Sequence, residues 1–219
     1  METSFLKYFS SATLLKSFEN KRGGKLVRYF EVYRLDDYLM NDEMHQFADV
    51  QDDKAEIQKL MQQILTWSES KESIDLEPVS VKEGVYVFDM FKLKENLDKL
   101  RETGFFSTEF IENYNKIILA LESKFRKKEF IDWLEGDLPP FKFANDIDPW
   151  CRCQGFSFEQ FDEIKIVKID DKSGEMIWIW KKGSDWVDFN FRVAKESGQW
   201  KISYMQGFDY TESIKANGE

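Results

Sequence analysis

Beyond residue 160 apolar and polar positions alternate with a period of two. EIKIVKI, EMIWIW, DWVDFNFRV and QWKISYMQGF are four such runs, separated by DDKSG, KKGS and KESG, which are short, polar and glycine-bearing. Connections this short join antiparallel neighbours, so the pattern predicts a C-terminal meander of four strands. In the third run Val187, Phe189, Phe191 and Val193 face one way while Asp188, Asn190 and Arg192 face the other. In the fourth, Trp200, Ile202 and Tyr204 alternate with Lys201 and Ser203. One face of such a sheet needs cover, and the helices that precede it are the candidates.

Upstream the period is helical. Ser4 to Phe18 places Phe5, Phe9, Ala12, Leu15 and Phe18 near one face and predicts a first helix, followed by a Gly23-Gly24 turn and an extended LVRYFEVYRL. Asp53 and Glu56 have capping-box spacing ahead of Ile57, Leu60, Met61, Ile64 and Leu65, which predicts a helix over 53–68. GVYVF at 84–88 reads as a short strand, and Leu93, Leu97 and Leu100 form a helical stripe ended by Gly104. Ser107 caps a further helix with Phe110, Tyr114, Ile117, Leu121 and Phe125 on one face. Its terminal KFRKK complements the negative end of the helix dipole, so it reads as a helix terminus and not as a nucleic-acid patch. FIDWLEG is expected to be a short helix ahead of Pro139-Pro140. Helices first and an antiparallel sheet after them is an α+β plan, with 1–52 an extension packed on a main domain of 53–219.

Composition narrows the function. The chain has 219 residues, 42% of them apolar, with 20 Phe and 7 Trp, enough for a sizeable core. Its formal net charge of -10 disfavours nucleic acid and anionic membranes as partners and suits a basic protein. No apolar run approaches the roughly 18 residues of a membrane span. SFLKYFSSATLLKSF resembles an export signal only superficially, because Lys7 and Lys16 interrupt it and no small-x-small site follows. The expected compartment is the cytoplasm, or the envelope or periplasm if a leader has been removed.

Candidate chemistry concentrates in NDIDPWCRCQGF, 145–156, which holds both cysteines. A zinc site needs four ligands, and Cys151, Cys153 and His45 supply three at most, so no metal or cofactor is expected. Were the pair in a strand, their separation of about 6.5 Å would lie near the limit for a disulfide, so structural thiols are the expectation. One histidine leaves no Cys-His-Asn set, and neither a P-loop nor Gly-x-Gly-x-x-Gly occurs. The segment then reads as the connection from helices to sheet, turned by Asp148-Pro149 and pinned by Trp150. Trp178, Trp180 and Trp186 cluster across one hairpin. They are core if they face the helices, and a partner-binding surface if one tryptophan-bearing side stays outside.

GFFSTEFIENYNKI, NDIDPW and DFNFRVAKESGQWKISYMQGFD, in that order, resemble the nuclear-transport-factor-2-like superfamily over about 53–210, in its bacterial uncharacterised or immunity-type branches. The resemblance implies a strongly bent sheet wrapped as a cone around helices, with two copies able to pair through the open sheet face. It also implies two kinds of function. Non-catalytic members hold a protein or a small apolar ligand, and immunity-type members neutralise a cognate toxin; this is the expected function. Catalytic members work at the base of the cone through an Asp-His or a Tyr-Asp pair. With His45 outside the matched stretch, only Tyr204 and Asp188 could serve as phenol donor and carboxylate base for an isomerase or hydratase. Strand parity already sets Asp188 on the opposite face.

Overall fold

The computed structural model describes residues 12–22, 25–35, 40–145, 147–153, 161–181 and 187–218, with side chains from residue 52 onward except Asp162. The chain divides into two compact units, 1–53 and 54–219.

In the first unit, β1 (Ala12–Arg22) and β2 (Lys25–Leu35) form an antiparallel hairpin in which Phe18 opposes Phe30 and Arg22 opposes Lys25. The extended reading of LVRYFEVYRL is therefore right. The helix expected over Ser4 to Phe18 is not, at least from Ala12 onward; residues 1–11 lie outside the described ones. Five apolar positions at helical spacing are a weak local preference. Cross-strand pairing along the whole length of a β-branched and aromatic neighbour overrides it. Helix α1 (Met40–Ser68) begins thirteen residues before the expected start at Asp53. With no glycine or proline between 40 and 68, nothing breaks the helix, and the Asp53/Glu56 spacing lies inside it.

In the second unit, the part of α1 with described side chains buries Ile57, Leu60, Met61, Ile64 and Leu65, the predicted stripe. A hairpin follows, β3 (Val79–Lys82) paired with β4 (Val85–Phe88). Its turn residues Glu83 and Gly84 have φ of 52° and 78°, the mirror-image turn that matches strand twist. Asp89 caps α2 (Met90–Thr103), accepting from Phe91 N, and Gly104 at φ 70° closes it. Ser107 accepts from Phe110 N at the start of α3 (Thr108–Arg126), whose Phe110, Tyr114, Ile117 and Leu121 are buried.

FIDWLEG is not a helix. Tyr86 N donates to Trp133 O and Glu135 N to Gly84 O, so this segment lies along β4. The backbone groups a helix would have paired internally are satisfied by a neighbouring strand.

The meander is present as β5 (Phe161–Ile169), β6 (Ser173–Trp180), β7 (Phe189–Glu196) and β8 (Gln199–Met205), antiparallel throughout and in sequential order. Its buried face carries Met176, Trp178, Phe189, Phe191, Trp200 and Ile202. Val187 departs from the expected face: it precedes β7 and is 64% exposed. Tyr204 departs for a different reason. Phe191 opposes Met205 and Arg192 opposes Tyr204, but Val193 already opposes Ile202, so Ser203 is a bulge. The extra residue flips parity, Met205 takes the buried face, and Tyr204 lies under the Arg192 guanidinium at 4.6 Å.

Ser107 N donates to Ile202 O and Ile202 N to Phe105 O. The start of α3 is thereby fastened along β8, which would otherwise be an open edge.

Candidate functional site

The loop between the helices and the meander is built around one indole. Trp150 is buried, with ring centres 4.6 Å from Phe208, 5.5 Å from Phe106 and 5.6 Å from Trp67. The turn that delivers it is closed three times. Asp148 Oδ1 accepts from Trp150 N at 2.8 Å, Asp148 O accepts from Arg152 N at 2.7 Å, and Asp148 N donates to Cys153 O at 3.0 Å. Burial, followed by the charge of Glu69, raises the Asp148 carboxyl above its ordinary value against the lowering effect of the Trp150 amide.

Cys151 and Cys153 are not thiols but a disulfide, with Cα atoms 5.2 Å apart. The strand geometry assumed from the sequence does not apply here. Arg152 between them has φ of 53°, a left-handed turn that brings the two Cα atoms closer than extended chain allows. Both cysteines are buried and Arg152 is half-buried, so the knuckle holds a guanidinium at its tip.

That guanidinium lines a cleft of about 480 Å3. One wall comes from the loop: Ala144, Asn145, Ile147 and Pro149. The opposite wall comes from the end of the meander and the turn of helix α4 (Tyr210–Ser213): Tyr204, Gln206, Gly207, Asp209 and Glu212. The Tyr204 hydroxyl donates to Asp209 Oδ2 at 3.2 Å, while Asp209 Oδ1 accepts from Glu212 N. Burial and the neighbouring Asp209 charge raise the Tyr204 phenol, and Arg192 and Arg152 oppose that rise. Glu212 accepts from Lys215 Nζ at 2.5 Å and lies 4.0 Å from Lys142 Nζ.

Of the binding and catalytic candidates named from the sequence, Tyr204 is the one among the described residues that falls in this cleft, beside Asn145, Ile147 and Pro149 of the 145–156 segment. Trp178 is fully buried and Trp180 is 4% exposed, their rings 5.6 Å apart, with Phe161 4.1 Å from Trp178. No partner can reach either ring, so the exposed-patch alternative gives way to a core role. Trp186 lies outside the described residues. Asp188 accepts from Trp180 N at 3.0 Å and ties β6 to the start of β7. Asp188 and Tyr204 are not a pair: each hydrogen-bonds elsewhere, and the register separates them by four residues along the strand, about 13 Å.

Sequence reasoning missed Arg152, Gln206 and Asp209. A signal for Arg152 was available, since a charged residue between two cysteines has to find solvent or a cleft when both neighbours are buried. Among the described residues no group of three or more His, Cys, Asp or Glu converges as a metal ion needs, and no helix is long and apolar enough to cross a membrane. A second polar cluster lies under α2. Asn96 Nδ2 donates to Asp75 O at 2.6 Å and to the Tyr114 hydroxyl at 2.9 Å, beside Glu77, whose carboxyl burial holds at about 7.

The unit that carries the cleft is thus an α+β structure of helices followed by an antiparallel meander. The chain matches no family model, no curated protein and no solved structure.

Proposed function

We propose that this protein is a non-catalytic binding protein, of the immunity type that engages and neutralises a basic toxin, built on a nuclear-transport-factor-2-like cone over 53–219. The element order and the fastening of α3 along β8 support the fold reading. One observation carries the functional reading. Large aromatic side chains of the chain itself, among them Phe106, Phe110, Trp150, Trp178, Phe191 and Phe208, are buried together with the inward faces of α3 and the meander. An apolar ligand or a substrate held at the base of a cone would have to displace them, which favours a partner recognised at the surface.

The net charge of -10 then supplies the recognition chemistry. A negative surface steers a basic partner into encounter and raises the association rate, an advantage for an inhibitor that must act before its toxin does. The test is co-expression with the product of the adjacent gene. A stable complex, relief of that product's toxicity and an association rate that falls steeply with salt are expected. A partner that neither associates nor is neutralised would retire the immunity reading.

A further inference from the structure

We infer that the cleft beside the disulfide knuckle binds a small organic carboxylate, anchored by the guanidinium of Arg152. The charged groups that line the cleft are unequally satisfied. Asp209 uses both carboxylate oxygens, one for the Tyr204 hydroxyl and one for Glu212 N. Glu212 is engaged by Lys215 and lies within ion-pair distance of Lys142. Arg152 also lines the cleft, yet among the described residues no carboxylate lies within ion-pair distance of it. Among the described residues the cleft therefore presents two acids that are already occupied and, in Arg152, a cation with no carboxylate against it.

A half-buried guanidinium in that condition calls for an anion, and its planar fork favours a carboxylate held by two parallel hydrogen bonds. A further donor faces the same space. Gln206 Oε1 accepts from Asn190 N, which leaves its NH2 for a ligand. Ala144, Ile147 and Pro149 line the loop side and offer apolar surface to the body of the ligand. The volume of about 480 Å3 falls within the range of small-molecule sites, roughly 300 to 1,000 Å3.

The knuckle gives the site its rigidity. Arg152 is held at φ 53° between two disulfide-linked, buried neighbours, with its N–H on Asp148 O. Little backbone freedom remains to be lost when the ligand arrives, which is how preorganisation raises affinity. This inference is independent of the proposed protein partner, and either can fail without the other.

The test is a titration of the 15N-labelled full chain with benzoate and with hexanoate, followed by amide shifts, with benzamide and inorganic phosphate as comparison ligands. Saturable shifts are expected at Asn145, Arg152, Gln206 and Gly207 with a carboxylate, at least tenfold weaker with benzamide and with phosphate. Arg152→Gln should weaken carboxylate binding at least tenfold, while the remote Arg126→Gln leaves it unchanged. If melting shows that Arg152→Gln has lost the fold, Arg152→Lys carries the test, and a several-fold loss is expected because the fork is gone while the charge stays. No saturable shift with either carboxylate, equal binding of benzamide or phosphate, or undiminished affinity in the Arg152 variant would overturn the assignment.

Discussion

Gly207 lies directly against the backbone of Pro149: a Cβ placed on Gly207 would fall 2.0 Å from the Pro149 carbonyl oxygen and 2.5 Å from its Cα. The obstacle is main chain on both sides and cannot swing away. Glycine is needed here for space, since the end of β8 and the loop that carries Arg152 touch backbone to backbone. Gly207→Ala should therefore cost at least about 2 kcal/mol, as overpacking of a closed contact does. Urea unfolding would measure it, with Gly84→Ala, where an added Cβ meets open space, for comparison. Gly84 has φ of 78°, so that variant should lose only the left-handed backbone cost, about 1 kcal/mol.

Trp150 holds the same junction from the inside. Its ring contacts reach α1 through Trp67, α3 through Phe110 and the turn after β8 through Phe208. Truncation leaves a cavity that three separate elements would have to close. Trp150→Ala should lower the unfolding free energy by about 3 to 5 kcal/mol, read from the denaturation midpoint at constant slope. A loss below about 1 kcal/mol would mean that the indole is not the pin of the junction.

The sequence was most legible where one period dominated and the neighbours were local. The meander, α3 with its Ser107 cap and the Gly104 stop could all be read, because alternation, spacing and capping chemistry agreed. It was least legible where a distant partner decided. Ala12–Phe18 is a strand because β2 pairs with it, and FIDWLEG is extended because β4 takes its backbone hydrogen bonds. The Ser203 bulge moved Tyr204 to the other face, which no count of alternate residues could foresee. In the cleft, the loop wall could be located by its sequence but its function could not. A left-handed Arg152 turned two supposed thiols into a disulfide and a connecting turn into a wall of the cleft.

Closing so short a ring removes little freedom from the unfolded chain, roughly 1.5 kcal/mol for three residues. Changing both Cys151 and Cys153 to Ala should thus cost about 1 to 2 kcal/mol and leave the fold intact. Because Cys151 and Cys153 are 0% and 1% exposed, the native protein should show no thiol to an alkylating reagent, even in mild reductant, until it unfolds. Mass spectrometry after alkylation with and without urea would check this. Prompt labelling of the folded protein would contradict the buried disulfide.

Glu77 should give the protein a stability that declines between mildly acidic and neutral pH. Burial, chiefly, lifts its carboxyl from an ordinary 4.5 to about 7, with the charge of Asp75 adding to the rise. Between those two values the folded chain keeps a proton that the unfolded chain has released. Unfolding therefore sheds a proton, and raising the pH through this window favours it. The stabilisation is fully present below about 4.5 and lost above about 7. Solvent reaching the half-buried group screens part of the cost, which leaves a decline on the order of 2 kcal/mol. The Tyr114 phenol, raised mainly by burial and then by Glu77 and Asp75, stays neutral across this window and does not contribute. Urea unfolding at pH 5 and pH 8 should show the decline in the native chain and a reduced one in Glu77→Gln, whose amide cannot ionise. Equal declines in the two proteins would locate the titrating group elsewhere.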